Sequence, residues 1–162
     1  MATPDKSIRT AFQKGLQEIY KAMFQYVYIR FLDDSRTVTS SVYGETRRKV
    51  YKKPIKVLGY YKRERIIDRT LVPALVVNER EVIKSPVQEF IDNNIGYSTQ
   101  DDIEKLRRII IQLKGFTYQV DEVNPTTMIA GDFIVVSFVA SPMRDYEPDK
   151  YDELIKGIDN NA

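Results

Sequence analysis

Phe133-Ile134-Val135-Val136-Ser137-Phe138-Val139-Ala140 carries apolar side chains on both faces of an extended chain, interrupted only by Ser137. A strand wet on one side alternates apolar with polar residues; one without that alternation belongs in the middle of a sheet or between layers. Upstream, Ala130-Gly131-Asp132 reads as the turn that introduces this strand, and Asn124-Pro125-Thr126-Thr127 as a turn or the start of a longer loop. Before that, Phe116, Tyr118 and Val120 alternate with Thr117, Gln119 and Asp121, the pattern of a strand half in water. Ile109-Ile110-Ile111-Gln112 is β-branched and separated from it only by Leu113-Lys114-Gly115, so the two runs form a hairpin. Thr99 and Asp102 resemble a capping box that starts a short helix, with Ile103 and Leu106 on its apolar side and an end near Arg107.

Further out, Asp92 to Tyr97 reads as loop, and Ser85 opens a short helical turn with Pro86 at its first position. Residues 71–77 form another strand, which Pro73 confines to an edge or a bulge. From Lys56 to Arg65, Val57, Gly59 and Tyr61 alternate with Leu58, Tyr60 and Lys62 in a strand dressed on two faces. Arg36 to Glu45 is polar and suits an extended loop. At the N-terminus Thr3, Pro4 and Asp5 suit a helix start. Ile8, Phe12, Leu16, Ile19 and Met23 then make one apolar stripe, read as core-facing. That helix runs to about Ala22, and the strand that follows it from Phe24 ends at Asp33, Asp34 and Ser35. After Pro142 a weak helix is expected from Pro148 toward Lys156, with Gly157 as its stop. The expected fold is α+β: a small antiparallel β-sheet or barrel with an N-terminal helix, a short middle helix and an extended C-terminal tail. Residues 1–140 form one domain and 141–162 an acidic tail.

A chain of 162 residues with 43% hydrophobic content can bury one substantial core. It has no run of apolar residues long enough to span a bilayer and no secretory leader, so cytoplasm-like conditions are expected. Cys and His are both absent. That excludes disulfides, thiolate and imidazole catalysis, nucleophilic triads and ordinary zinc or haem sites. The glycines are too dispersed for a phosphate cradle. Asp33/Asp34, Asp101/Asp102 and Asp121/Glu122 are the available carboxylate pairs, and each suits a solvated element end better than catalysis. No enzyme activity, cofactor or metal is expected.

Charge is distributed unevenly. Residues 45–65 hold nine bases against two Glu in a chain of net charge +2: Arg47, Arg48, Lys49, Lys52, Lys53, Lys56, Lys62, Arg63 and Arg65. From Ser141 onward six acids, Asp145, Glu147, Asp149, Asp152, Glu153 and Asp159, face three bases. Tyr43, Tyr51, Tyr60 and Tyr61 are interleaved with the basic residues as candidate interaction aromatics.

Tyr43-Gly44-Glu45, Arg48-Lys49, Tyr51 and Pro54-Ile55-Lys56-Val57 leading into a strand, followed by Tyr118-Gln119-Val120-Asp121-Glu122-Val123 and Gly131-Asp132, resemble the neck proteins of tailed bacteriophages. The type is the head-closure or stopper class of head-to-tail connector, and the likeness covers residues 40 to 140. The Gly131-Asp132 match to that class is loose, and the helix from Thr99 is longer than the class leads one to expect. The resemblance implies a small β-barrel protein of the virion neck, assembled in the host cytoplasm. It would form a homo-oligomeric ring that joins portal or adaptor to a tail-tube or tail-terminator protein and helps close the DNA channel. The basic segment would then either approach packaged DNA through its phosphates or dock as an arm on the acidic tail of an adjacent copy, which self-consistent assembly favours. The alternatives are an oligonucleotide-binding module in which Tyr51, Tyr60 and Tyr61 stack bases, another tail or baseplate component, and a carboxylate enzyme using Asp101 or Asp121.

Overall fold

A computed structural model describes residues 6–23, 25–39, 46–68, 76–129 and 131–159. In chain order these form α1 (Lys6–Met23), β1 (Gln25–Arg30), β2 (Val38–Thr39), β3 (Thr46–Arg48), β4 (Ile55–Asp68), β5 (Val76–Pro86), α2 (Val87–Asp92), α3 (Gln100–Leu106), β6 (Ile110–Leu113), β7 (Phe116–Ile129), β8 (Asp132–Pro142) and α4 (Lys150–Asp159). The fold is α+β. Its centre is a closed antiparallel barrel in the order β1-β4-β5-β8-β7-β6, sealed where Tyr28, Ile29 and Arg30 pair with Gln112, Ile111 and Ile110. Closure leaves none of these six strands at an edge.

β8 lies between β5 and β7, the interior position its doubly apolar sequence requires. Val136 and Phe138 point into the core beside Val27 and Ile29 of β1, Val57 of β4, Ile83 of β5 and Ile111 of β6. Helices α2 and α3 add Val87, Phe90 and Leu106 to the same core. Phe90 stacks on Phe138 with ring centroids 6.0 Å apart, a pairing worth about 0.5–1.5 kcal/mol beyond the area it buries. The hairpin between β6 and β7 turns on Lys114 and Gly115, whose positive φ values of 48° and 80° match the right-handed twist of the flanking strands.

The reciprocal capping box at Thr99 and Asp102 forms as its sequence suggests. Other expectations need correction. Asn124-Pro125 is not a turn: β7 continues through it to Ile129, because pairing with β8 down to Ile129↔Asp132 outweighs local turn chemistry. The period is hidden by a bulge in which Asp121 is the extra residue between Val120↔Ala140 and Glu122↔Val139, so Val120 and Val123 both turn inward. Phe116, the first residue after the turn, is 67% exposed instead of inward. Pro86 caps α2 from an extended conformation and is not its first helical residue. Within the expected 36–45 loop, Val38–Thr39 pairs with Thr46–Arg48 as a small ribbon. The last helix begins at Lys150 and runs through Gly157 to Asp159. Thr3, Pro4, Asp5, Tyr43 and Pro73 lie outside the described residues.

The largest correction concerns α1. Its face toward the barrel is largely polar: Gln13 and Tyr20 are buried, Arg9 pairs with Asp132 at the start of β8, and Gln17 donates to Glu89 and Asp92 of α2, with half-buried Leu16 the member of the expected stripe that stays on this side and the Met23 side chain outside the described residues. Ile8, Phe12 and Ile19 of the expected core stripe point outward and are at least half exposed. The same bracket repairs the barrel wall where β5 turns away into α2. There the Leu58 N–H donates to Glu89 Oε2 at 3.2 Å and the Leu58 carbonyl accepts from Ser85 Oγ at 2.6 Å, replacing ladder bonds that burial would otherwise leave unmade. None of the described helices is long and apolar enough to cross a membrane.

Candidate functional site, a basic groove at the barrel end

The site begins at Arg30, the last residue of β1, whose side chain is wholly buried. A guanidinium withdrawn from water must find partners for its donors. Nε donates to the Lys52 carbonyl at 2.9 Å, one terminal nitrogen to Tyr146 Oη at 2.7 Å, and the other to the Tyr51 carbonyl and the Asp149 carboxylate. Tyr151 and Tyr51 flank it with ring centroids 5.2 and 6.0 Å from the guanidinium carbon. Asp152 sits 3.9 Å from Arg30 and accepts from Tyr146 Oη, Gln112 Nε2 and the Asp149 N–H, each at 2.7 Å. One cation therefore fastens both the segment after the ribbon and the C-terminal segment onto the barrel. Burial raises the Asp149 carboxyl pKa, but the hydrogen bond and charge of Arg30 outweigh it and hold the group below its usual range. Burial, then the bond to Asp152, pushes the Tyr146 hydroxyl well up.

Against this clamp lies a cleft of about 460 Å³ lined by Arg48, Lys49, Tyr51, Gln119 and the segment Pro142 to Glu147. A second, of about 280 Å³, shares Lys49, Tyr51, Gln119 and Met143 with it and continues past Leu32 to Arg107 and Arg108. Together they make one groove at the barrel end where β1 and β8 finish and β6 begins.

The basic segment is split by the fold. Arg48 and Lys49 line the groove, with Arg48 Nε 3.4 Å from Glu147, while Lys52 and Lys53 are exposed beside it. Farther on, Lys56 lies over the Tyr26 ring at 4.0 Å on the β1–β4 side, while Lys62 pairs with Glu64 at 3.3 Å and Arg63 with Glu81 at 3.1 Å along the β4–β5 wall. The side chains of Arg47 and Arg65, like Tyr43, lie outside the described residues. Of the aromatics, Tyr51 is buried against Arg30, Tyr60 is half-buried, and Tyr61 donates to Glu81 and leans on Tyr118 at 6.2 Å. Tyr51 is thus withdrawn from any base, and Tyr61 is partly buried against the core. Of the tail acids, Asp149 and Asp152 are engaged by Arg30 of the same chain, Glu147 by Arg48, Asp145 lines the groove and Glu153 is exposed. The sequence reading did not single out Arg30, Gln112, Tyr146, Arg107, Arg108 or Arg144. The available signal for Arg30 was one cation inside the run Tyr28-Ile29-Arg30-Phe31-Leu32.

No protein-family model and no curated protein matches the chain.

Proposed function

We propose that this chain is a structural subunit of a homo-oligomeric ring, of the connector kind found in tailed-phage necks, joining a portal or adaptor to a tail-tube or tail-terminator component. It works by fitting surfaces together and transforms no substrate. The observation that carries this reading is the outward apolar face of α1, where Ile8, Phe12 and Ile19 are 62%, 51% and 53% exposed while the polar face is spent on the barrel. A solitary protein gains nothing by that inversion, because an exposed apolar stripe at helical spacing lacks the burial that would stabilise it. Across the barrel, on the β6/β7 flank, Phe116 and Leu154 are 67% and 58% exposed, α4 being tied to β6 through Gln112 and Asp152. In the closed strand order β4 and β5, on which α1 packs, lie opposite β7 and β6. Two unlike patches on opposite flanks suit head-to-tail contact, the kind that generates rings.

The inward use of Tyr51 and Tyr61 counts against an oligonucleotide-binding module, which needs ring faces for stacking. Sedimentation velocity over a concentration series tests the ring: the wild-type chain sediments above monomer mass, and Phe12→Asp with Ile19→Asp returns it to monomer. A wild-type chain that remains monomeric at high concentration, alone and with portal or tail components, sinks the proposal.

A further inference from the structure

The groove at the barrel end has a chemistry separate from the apolar flanks. Five cations, Arg48, Lys49, Arg107, Arg108 and Arg144, line its two connected clefts against two carboxylates, Asp145 and Glu147. Lys49 and Arg144 make no ion pair among the described residues, while Arg107 and Arg108 pair only with exposed Glu104 and Asp34 at the rim. Such solvated pairs exchange readily for an incoming anion.

We propose that this groove binds an extended acidic polypeptide segment of a partner protein, one carrying carboxylates on alternate residues. The protein already shows that mode of binding in its own chain. Residues 146–149 have no regular structure, and Glu147 and Asp149, two positions apart, reach Arg48 and Arg30. Successive side chains of an extended chain point to opposite faces, so alternate carboxylates present one charged edge. A second strand of that kind laid along Lys49, Arg144, Arg107 and Arg108 meets three guanidinium forks suited to carboxylates and one ammonium charge.

Nucleic acid fits less well. A single strand gains much of its affinity from stacking, and the one tyrosine common to both clefts, Tyr51, is 8% exposed and flanks the buried Arg30.

The test is fluorescence anisotropy with a labelled peptide alternating Asp and Ser, the same peptide with Asn for Asp, and a single-stranded oligonucleotide of equal charge. Wild-type protein binds the Asp peptide in preference to both controls. Lys49→Glu with Arg144→Glu weakens binding by roughly tenfold or more, and the remote Lys62→Glu leaves it unchanged. Should the double reversal fail to melt like wild type, Lys49→Gln with Arg144→Gln replaces it, and the weakening then expected is smaller but still specific to the groove. No binding of the Asp peptide at low salt, binding indifferent to the groove substitutions, or tighter binding of the oligonucleotide each overturns the proposal. Ring formation, read by sedimentation, is a separate measurement, so either reading can fail without the other.

Discussion

Arg30 and Asp149 form an ion pair in which the cation is wholly shielded from water and the carboxylate is 33% exposed. The two residues lie 119 positions apart in the chain, so the pair joins the first barrel strand to the segment that follows the last. Replacing Arg30 with Met would leave Tyr146, Asp149, Asp152 and two backbone carbonyls short of donors at once. Breaking such a pair from one side costs about 3–5 kcal/mol, and urea titration is expected to show a loss of that order. Arg30→Lys would not restore it, since an ammonium cannot reach partners spread around a planar fork.

Acid should loosen the same clamp. Asp149 is held below its unfolded value of 3.8, so its contribution is complete above that pH and is lost as pH falls through the lower folded value. The C-terminal segment should therefore become accessible to acid-stable proteases below about pH 3.8. Asp149→Asn should abolish that dependence while lowering stability at neutral pH. A protection profile that is flat through this range in the native chain would contradict the assignment.

Alkali should act from the opposite side. The Tyr146 hydroxyl is raised above its unfolded value of 10.0, so its contribution is complete below that pH and is lost as pH rises toward the folded value. Tyrosinate absorbance should show several late-titrating phenols, Tyr118 and Tyr146 the latest, and Asp152→Asn should move one of them part of the way back toward ordinary behaviour.

Gly59 is a packing requirement. A Cβ there would lie 3.0 and 3.1 Å from the two Val27 methyls and 3.6 Å from Ile83. Gly59→Ala should destabilise by about 1–3 kcal/mol through overpacking, with recovery on adding Val27→Ala. A double variant no better than Gly59→Ala alone would show that the crowding lies elsewhere.

Much of the barrel was legible because strands announce themselves locally. The apolar run at 133–140, interrupted only by Ser137, located β8, and β-branched Ile109–Ile111 with Lys114-Gly115 located the β6–β7 hairpin. The readings that failed depended on distant partners. Asn124-Pro125 has strong turn chemistry, yet β8 holds it extended, and the Asp121 bulge breaks the alternation from which a longer strand could be read. On α1, spacing identified an amphipathic helix but not which face the barrel would accept. That choice was made by Asp132 and Glu89, polar groups far along the chain that receive Arg9 and Gln17. The groove was half legible: Arg48 and Lys49 stood out within a dense basic run, whereas Arg107, Arg108 and Arg144 join them only after the barrel closes.

The placement of α1 across the barrel from Phe116 and Leu154 has a geometric consequence. In the proposed ring such surfaces would not be consumed by a mutual embrace of two molecules; each molecule would satisfy one neighbour and leave a fresh surface for the next. Whether such a series returns to its starting point depends on the wedge angle between the two sides. A substitution that tilts α1 against β4 and β5 would therefore change the circumference of the circle, or open it into a spiral, without altering a single atom that touches a neighbour.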